Sequence, residues 1–261
     1  AEPGVPPLPA AALSAPDADL VERLAASSPV RMRLALGCRT EPDAPGANVV
    51  GEIRGSDRPE EIVLLGAHLD SWDLGTGAID DGAGVGIVCE SARAIAALPR
   101  PPRRTVRVAL FADEENGGRG GEAYANAHRA ELDRHVGALE MDLGTDRVYR
   151  IGVAGGPEAE ALAAFIAGLL RPIGVTERAA DANGGSDVSA LRAFGIPLVD
   201  LDQDASRYFD FHHSADDTFD KIDPGNLAQA TAATAVVAWT LADAPETPGR
   251  IPQEKRTVKR W

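Results

Sequence analysis

Two histidines and three carboxylates, spread along the chain, form a set of side chains that could hold divalent metal ions. The set is His68, Asp80, Glu115, Asp142 and His213. Imidazole and carboxylate groups are zinc ligands, and a pair of ions that shares one bridging carboxylate uses ligands of these types. A further acid, Glu114, directly precedes Glu115 and is left over as a base. The set predicts a hydrolase.

The first metal-binding candidates lie in the segment GAHLDSWDLGTGAIDDGAGVG. His68 ends a strand that is apolar throughout, and Asp70 lies two residues on, so we expect the Asp70 carboxylate to orient the His68 ring. Asp80 begins a glycine-rich turn into a helix, far enough along for a loop to place it between two ions. A capped turn for DDGAG and a surface pair for His-x-Asp remain open alternatives.

The segment ALFADEENGG places three acids in a row after an apolar strand. Consecutive carboxylates repel, so a solvated loop would explain them unless cations neutralise them. We interpret Glu115 as a ligand and Glu114 as the base that takes a proton from a metal-activated water. Asp142 ends the next apolar strand, where an unpaired carboxylate is costly. Glu140, just before it, is assigned an exposed or structural position.

The last metal-binding candidate lies in YFDFHHSADDTFDKID, before the final helix. We take His213 as the ligand and His212 as a neighbour that lines the site, the alternative being two partly exposed rings. Asp217 is expected to cap the loop or support the site. His128 and His135 lie away from these motifs and are predicted to face solvent.

The elements that must position these residues alternate between strands and helices. Helices are predicted over 17–26, 82–98, 121–132, 157–170, 186–192 and 224–242, and strands from Val30, Asn48, Glu61, Thr105, Val136 and Ile196. Continuous apolar strands that alternate with helices indicate an α/β fold: a mostly parallel, mixed central sheet with helices on both faces, a three-layer sandwich. In such folds ligands gather beyond the carboxyl ends of the strands, where these candidates lie.

Composition limits the possible classes of protein. The 261 residues are 44% hydrophobic, which suffices for one substantial core and does not require two. The net charge of −14 argues against a nucleic-acid backbone as partner. No apolar run reaches the roughly 20 residues of a membrane span. The two cysteines, Cys38 and Cys89, imply no disulfide framework and are predicted to be small buried residues.

The motifs together resemble a known family. GAHLDSWDLGTGAIDDGAG, ADEENGG, EMDLGT, GGSD and FHHSADDTFDKID follow one another as in the co-catalytic dinuclear zinc peptidases of the aminopeptidase type, and they are most similar to the carboxypeptidase Q group. The resemblance covers roughly residues 48–242. Several separate motifs in the right order make chance agreement implausible.

The resemblance implies a phosphorylase/hydrolase-like sandwich that binds two Zn²⁺ and acts as an exopeptidase on short peptides or dipeptides. One zinc would be held by His68, Asp80 and Asp142, and the other by Asp80, Glu115 and His213, so that Asp80 is the bridge. Glu114 matches the general base and Asp70 the carboxylate that orients the first histidine. A cis peptide bond is expected between Asp80 and Asp81.

Other roles stay open at this point. Ser186 and Asp187 of GGSD match a loop near the substrate, and a helix cap is their alternative role. Glutaminyl cyclases share the fold but keep one zinc ion. Catalytically silent relatives of the same fold act as binding modules, and amidases with a related dinuclear centre remain possible. The Glu114 and Glu115 pair, together with both candidate histidines, favours hydrolysis.

The expected organisation has three parts. Residues 1–45 are interpreted as the end of a protease-associated insert plus a connecting strand, 46–244 as the zinc peptidase catalytic domain, and 245–261 as a basic, proline-containing tail that is solvated or covered by a partner. We expect a longer, exported protein, periplasmic or secreted, that acts on short peptides. A homodimer is left open.

Overall fold

The computed structural model of the chain describes residues 8–39 and 41–257, which divide into two compact units, Ala1–Pro45 and Gly46–Trp261. The described part of the first unit contains one helix, α1 (Ala15–Ala25), whose N-terminus is capped by the Ser14 side chain. This confirms the helix predicted over 17–26. The strand predicted from Val30 is wrong, because residues 29–39 form no regular structure. The described part of this unit contains no strand with which that segment could pair its backbone groups.

The second unit is built on a sheet of seven strands in the order β1-β3-β2-β4-β7-β5-β6. The strands are β1 (Val49–Ile53), β2 (Arg58–His68), β3 (Arg104–Phe111), β4 (His135–Glu140), β5 (Val148–Ala154), β6 (Glu177–Ala179) and β7 (Leu198–Gln203). Strand β2 is parallel to its neighbours β3 and β4, strand β4 is parallel to β7, and β5 is parallel to β6. Strand β1 runs antiparallel to β3, and β5 runs antiparallel to β7. The sheet is therefore mixed, as predicted, although β5 and β6 were not anticipated.

The remaining helices cover the sheet. They are α2 (Ala83–Ala96), α3 (Arg119–Ala127), α4 (Ala159–Leu170), α5 (Tyr208–Phe211) and α6 (Pro224–Asp243). A π-helical turn (Ala78–Gly82) precedes α2, and 3-10 helices span Arg129–Arg134, Arg171–Ile173, Val188–Phe194, Phe219–Lys221 and Gln253–Lys255. The segment predicted as a helix over 186–192 is thus a 3-10 helix, and Ser186 does not cap it. None of the helices in the described ranges is long and apolar enough to cross a membrane.

Strand β2 lies at the centre of the core, as its unbroken apolar run predicted. Alternate side chains of a strand point to opposite faces. Val63 and Leu65 join a cluster with residues of α2, α4 and α6, whereas Leu64 joins a second cluster with Tyr124 of α3 and Leu191 of a 3-10 helix. The burial of β2 on both faces confirms the three-layer arrangement and places His68, its last residue, at a rigid position.

The described part of the tail, residues 245–257, packs on the second unit. Ile251 is buried, and the Arg250 guanidinium donates to the carbonyls of Leu132, His135 and Phe194. The expectation of a solvated arm is wrong for these residues, because a buried isoleucine and satisfied carbonyls hold the segment down. Residues 258–261 of the predicted tail, like 1–7 and 40 of the predicted first part, lie outside the described residues.

Three side-chain positions differ from the sequence-based expectations. Cys38 and Cys89 are exposed, not buried. His135, expected to face solvent, is buried at the start of β4. Its Nε2 lies 2.8 Å from the Tyr124 hydroxyl, and its Nδ1 lies 3.1 Å from the Glu131 carbonyl. Because a carbonyl only accepts, Nδ1 carries the proton and Nε2 accepts from the tyrosine. Burial lowers the pKa of His135 to about 4.

This burial predicts a pH dependence of stability. An unfolded histidine has a pKa of about 6.5, so the unfolded chain binds the proton first as the pH falls. Above about pH 6.5, neutral His135 makes its full contribution to the free energy of unfolding. As the pH falls toward 4, this contribution decreases by up to about 3 kcal/mol. In His135→Gln, denaturant unfolding between pH 7 and pH 4 should show a smaller loss than in the unchanged chain. His128→Gln, at a partly exposed neighbour, is the control, and equal losses in the unchanged chain and His135→Gln would contradict the prediction.

Candidate metal centre

The parallel strands β2 and β4 bring the first half of the candidate site together. His68 is the last residue of β2, and Asp142 follows the end of β4, its neighbour in the sheet. The Nε2 atom of His68 lies 3.1 Å from Asp80 Oδ1 and 3.3 Å from Asp142 Oδ1. His68 and Asp80 are buried, while Asp142 is slightly exposed. One imidazole nitrogen therefore faces two carboxylate oxygens at once.

The second half of the candidate site lies around the other carboxylate oxygen of Asp80. Asp80 Oδ2 lies 3.2 Å from Nε2 of His213, and the same nitrogen lies 2.9 Å from Oε2 of Glu115. The two oxygens of Asp80 thus face different histidines, His68 and His213. The structure brings all five side chains of the set together, with Asp80 between the two halves.

The charges in this cluster fit a bound cation. Burial opposes the charged form of His68, but its contacts with Asp142 and Asp80 prevail and raise its pKa to about 12. A positive charge is thus favoured at the point where Nε2 faces the carboxylates, and a metal ion supplies one. Glu115 Oε1 is buried without a hydrogen-bond partner, which leaves it available as a ligand. The donor set of imidazole and carboxylate suits zinc.

Three overlapping groups of donor atoms lie close enough to share an ion, with all atoms of a group within 4.8 Å of one another. The groups are His68 with Asp80 and Glu115, His68 with Asp81 and Asp142, and Asp80 with His212 and His213. Asp80 and His68 each belong to two of these groups, and Asp80 is the member that links His68 with His213.

The turn that carries Asp80 is held by buried acceptors. The peptide bond between Asp80 and Asp81 is cis, as expected. The Asp217 carboxylate accepts the backbone N–H groups of Ile79 at 2.6 Å and of Asp80 at 3.3 Å. The Asp81 carboxylate accepts the N–H of His68 at 3.0 Å, and burial raises its pKa well above the usual range. Asp81 therefore holds the end of β2, and Asp217 fixes the turn.

Asp70 takes a different contact from the one expected. Its carboxylate accepts the backbone N–H groups of Glu114 at 3.0 Å and Glu115 at 3.1 Å. The His68 Nδ1 donates instead to the Asp70 carbonyl at 2.9 Å, and the Asp70 carboxylate is 3.7 Å from that nitrogen. The side chain of Asp70 therefore positions the Glu114 and Glu115 backbone, and its main chain orients the His68 ring.

The candidate base and the GGSD loop lie beside Asp142. Burial, with Asp142 nearby, raises the pKa of Glu114. The Ser186 hydroxyl donates to Asp142 Oδ2 at 3.0 Å. Asp187 is buried and accepts the N–H of Gly121 at 2.9 Å, and burial raises its pKa to about 7. The structure thus places Ser186 at the site, and one oxygen of the Asp187 carboxylate faces the start of α3 while the charge of Asp187 still interacts with Glu114, His68 and Asp142.

The ring of His212 stacks on that of His213, with the ring centroids 3.4 Å apart, and its Nε2 lies 3.5 Å from Asp80 Oδ2. A cavity of about 560 Å³ opens next to this cluster. Asp142 and Ser186 line it on the side of the candidate ligands, together with the apolar side chains of Leu143 and Phe209. The cavity therefore adjoins the candidate metal ligands.

Comparisons with known proteins identify the family to which a chain with these candidate metal ligands belongs. The model of peptidase family M28 matches residues 48–238. The chain belongs to peptidase family M28. Carboxypeptidase Q of Rattus norvegicus is 38% identical over 244 residues, which are 93% of this chain and 52% of that protein, and the Homo sapiens protein is 36% identical with the same coverage. This M28 chain spans about half the length of these relatives.

Solved structures show the same fold. A peptidase M28 precursor from Shewanella amazonensis aligns with a TM-score of 0.76 and 47% identity, over 78% of the M28 chain and 46% of that protein. BSAP, a zinc aminopeptidase from Bacillus subtilis, aligns with a TM-score of 0.61 and 19% identity, over 81% and 53% of the two chains. The second likeness supports the fold alone. The first likeness agrees with membership of family M28.

The sequence analysis did not assign Trp72 to the candidate site, whereas Glu140, given an exposed or structural position, takes the structural one. The indole N–H of Trp72 donates to Glu115 Oε2 at 2.7 Å. The buried Glu140 carboxylate accepts the N–H groups of Asp187 at 2.8 Å and Val188 at 3.2 Å, so it holds the GGSD loop. A signal for Trp72 was available, since it lies in the same HLDSW motif, two residues after Asp70.

The position of Asp217 in the M28 site predicts a cost for its replacement. In Asp217→Asn one carboxylate oxygen becomes an NH₂ group, which cannot accept the N–H of Ile79 or Asp80. We expect the free energy of unfolding to fall by about 1–3 kcal/mol, measured by denaturant titration. Asp216→Asn, the same change at an exposed neighbour, should cost less than about 0.5 kcal/mol. Equal effects of the two substitutions would show that the hydrogen bonds from Ile79 and Asp80 to the Asp217 carboxylate do not stabilise the fold.

Proposed function

We propose that this chain is the catalytic part of a zinc-dependent exopeptidase that hydrolyses short peptides, with two zinc ions that share Asp80. The observation that carries the proposal is the position of Asp80, whose two carboxylate oxygens face His68 and His213 separately. Membership of family M28 supports a peptidase. Similarity to proteins named carboxypeptidase Q supports an exopeptidase.

The proposed ligands divide into two sets with one shared member. His68, Asp80 and Asp142 would hold one ion, and Asp80, Glu115 and His213 the other. Bound zinc supplies a Lewis acid that polarises the peptide carbonyl and makes water more acidic. The protein's contribution is a set of acids and imidazoles, of which His68 and Asp80 are buried and are held in place by the amide and carbonyl contacts of Asp70, Asp81 and Asp217.

Glu114 is the proposed general base. Its backbone N–H is fixed by the Asp70 carboxylate, and its side chain belongs to none of the three donor groups, so we assign it to proton transfer and not to a zinc ion. Burial and the neighbouring Asp142 raise the pKa of Glu114 toward neutral pH, the range in which a general base works best. Glu114 takes a proton from the attacking water and delivers it to the leaving amine.

The proposed substrates are short peptides that place a side chain in the cavity beside Asp142. Ser186 and His212, which lie next to Asp142 and His213, are proposed to contact the substrate. Asp187 is proposed to act there through the loop that it anchors to α3. Relatives and structural neighbours are named both carboxypeptidase and aminopeptidase, so assays should include dipeptides blocked at either end.

Loss of the base should abolish most turnover without loss of metal. In Glu114→Gln we expect kcat for dipeptide hydrolysis to fall by about 10²- to 10⁴-fold, because the amide cannot take the proton, while the zinc content is unchanged. Glu60→Gln, the same change at an exposed position near the opposite end of β2, is the control. Unchanged turnover in Glu114→Gln would overturn the proposed mechanism.

The shared role of Asp80 predicts a specific pattern of metal contents. We expect about two zinc ions per chain in the purified protein, about one in His213→Ala, and fewer than one in Asp80→Ala, measured by elemental analysis after gel filtration. His128→Ala, outside the site, should keep both ions. A content of one ion or none in the unchanged chain would count against a dinuclear centre.

The location and assembly of the protein are also proposals. We propose that it acts outside the cytoplasm, in the periplasm or as a secreted enzyme, and that it works on peptides and not on nucleic acid. Similarity to carboxypeptidase Q supports the first statement, and the net charge of −14 supports the second. Cell fractionation tests the location, and sedimentation tests whether the protein forms a homodimer.

A further inference from the structure

Trp72 touches two of the proposed zinc ligands by different kinds of contact. Its indole N–H donates to Glu115 Oε2 at 2.7 Å. Its ring lies against that of His213, with the centroids 5.0 Å apart and an interplanar angle of 39°. Glu115 and His213 are the two residues that, with Asp80, would hold the second ion. A single side chain thus contacts both ligands that are specific to this ion.

Packing alone does not account for a tryptophan at this position. Trp72 is 48% exposed, the neighbouring Leu69 and Leu74 are exposed as well, and Trp72 belongs to neither of the two buried hydrophobic clusters. Its one polar atom is used on Glu115. The oxygen that accepts this N–H also lies 2.9 Å from Nε2 of His213, so the indole and the imidazole meet at the same carboxylate oxygen.

The loop after β2 holds Glu115 at two points. Asp70 accepts the backbone N–H of Glu115 at 3.1 Å, and Trp72 donates to its carboxylate. His68, which starts this loop, is itself a proposed ligand. Every second residue of the segment from His68 to Trp72 therefore serves the site. Neither the backbone nor the side chain of Glu115 can turn away without loss of a hydrogen bond to this loop.

We propose that Trp72 is a positioning residue for the second zinc ion: its indole N–H fixes the Glu115 carboxylate, and its ring fixes the His213 imidazole, before the ion binds. The inference rests on the proposed function, because it takes Glu115 and His213 as ligands. Replacement of groups that orient a ligand in this way typically weakens metal affinity by about 10- to 100-fold.

The first test measures zinc affinity in Trp72→Phe, which keeps an aromatic ring but removes the N–H donor. Competition with a chromophoric chelator should show one of the two zinc ions bound at least about tenfold more weakly than in the unchanged chain. Trp239→Phe is the matched control, because it removes an indole from α6, where Trp239 packs beside Arg100. Thermal unfolding of the metal-free proteins shows whether the variants fold.

The second test uses the fluorescence of Trp72 itself and needs no change at the site. The chain has three tryptophans, so Trp239→Phe combined with Trp261→Phe leaves Trp72 as the single indole. Titration of this metal-free protein with zinc should change the Trp72 emission as the second ion binds, because the charge on Glu115 is then neutralised and His213 is coordinated. An emission that zinc leaves unchanged would show that the indole does not contact the ligands of the bound ion.

The outcomes separate this inference from the proposed function. If the unchanged chain binds two zinc ions and Trp72→Phe binds both with the same affinity, the role of Trp72 is refuted while the dinuclear centre stands. If Trp72→Phe does not fold, the emission titration decides, and an emission that zinc does not alter refutes the inference. If the unchanged chain binds no zinc, the proposed function fails and this inference fails with it.

Discussion

The repulsion among carboxylates gathered at the ends of β2 and β4 is the constraint on which the site depends. Asp80, Asp142 and Glu115 lie within a few ångströms of His68 and His213, in a largely buried space where like charges are poorly screened. Such an arrangement is stable only if positive charge lies among the acids. The contacts of His68 with these acids raise its pKa, which reflects that demand, and a pair of zinc ions would meet it.

The surrounding structure serves to hold these acids in place against their repulsion. Backbone N–H groups are the main means: Asp217 fixes the turn of Asp80, Asp70 fixes the segment of Glu114, and Asp81 fixes the end of β2. Each of these contacts joins segments that are distant in sequence or on opposite sides of a turn. The sheet makes them possible, because the buried strand β2 gives the site a rigid base.

Much of this arrangement could be predicted from local patterns. The apolar run of β2 indicated a central strand, and the order of the motifs indicated the family. Other features depended on surroundings that no local pattern reveals. His135 reads as a polar residue at a strand start, but its hydrogen bonds to Tyr124 and Glu131 allow its burial. Strand β6 is three residues long and forms by pairing with β5, so its own sequence carries little signal.

The sequence by itself determined which side chains are available as metal ligands and which strand or loop carries each of them, because residue type and hydrophobic period are local properties. Only the tertiary structure decided which atoms meet. The Asp70 carboxylate reaches the amides of Glu114 and Glu115 while its carbonyl takes the His68 ring, and Trp72 reaches Glu115. Hydrogen bonds require donors and acceptors to lie about 3 Å apart, and over long separations in sequence only the packing of the sheet fixes such distances.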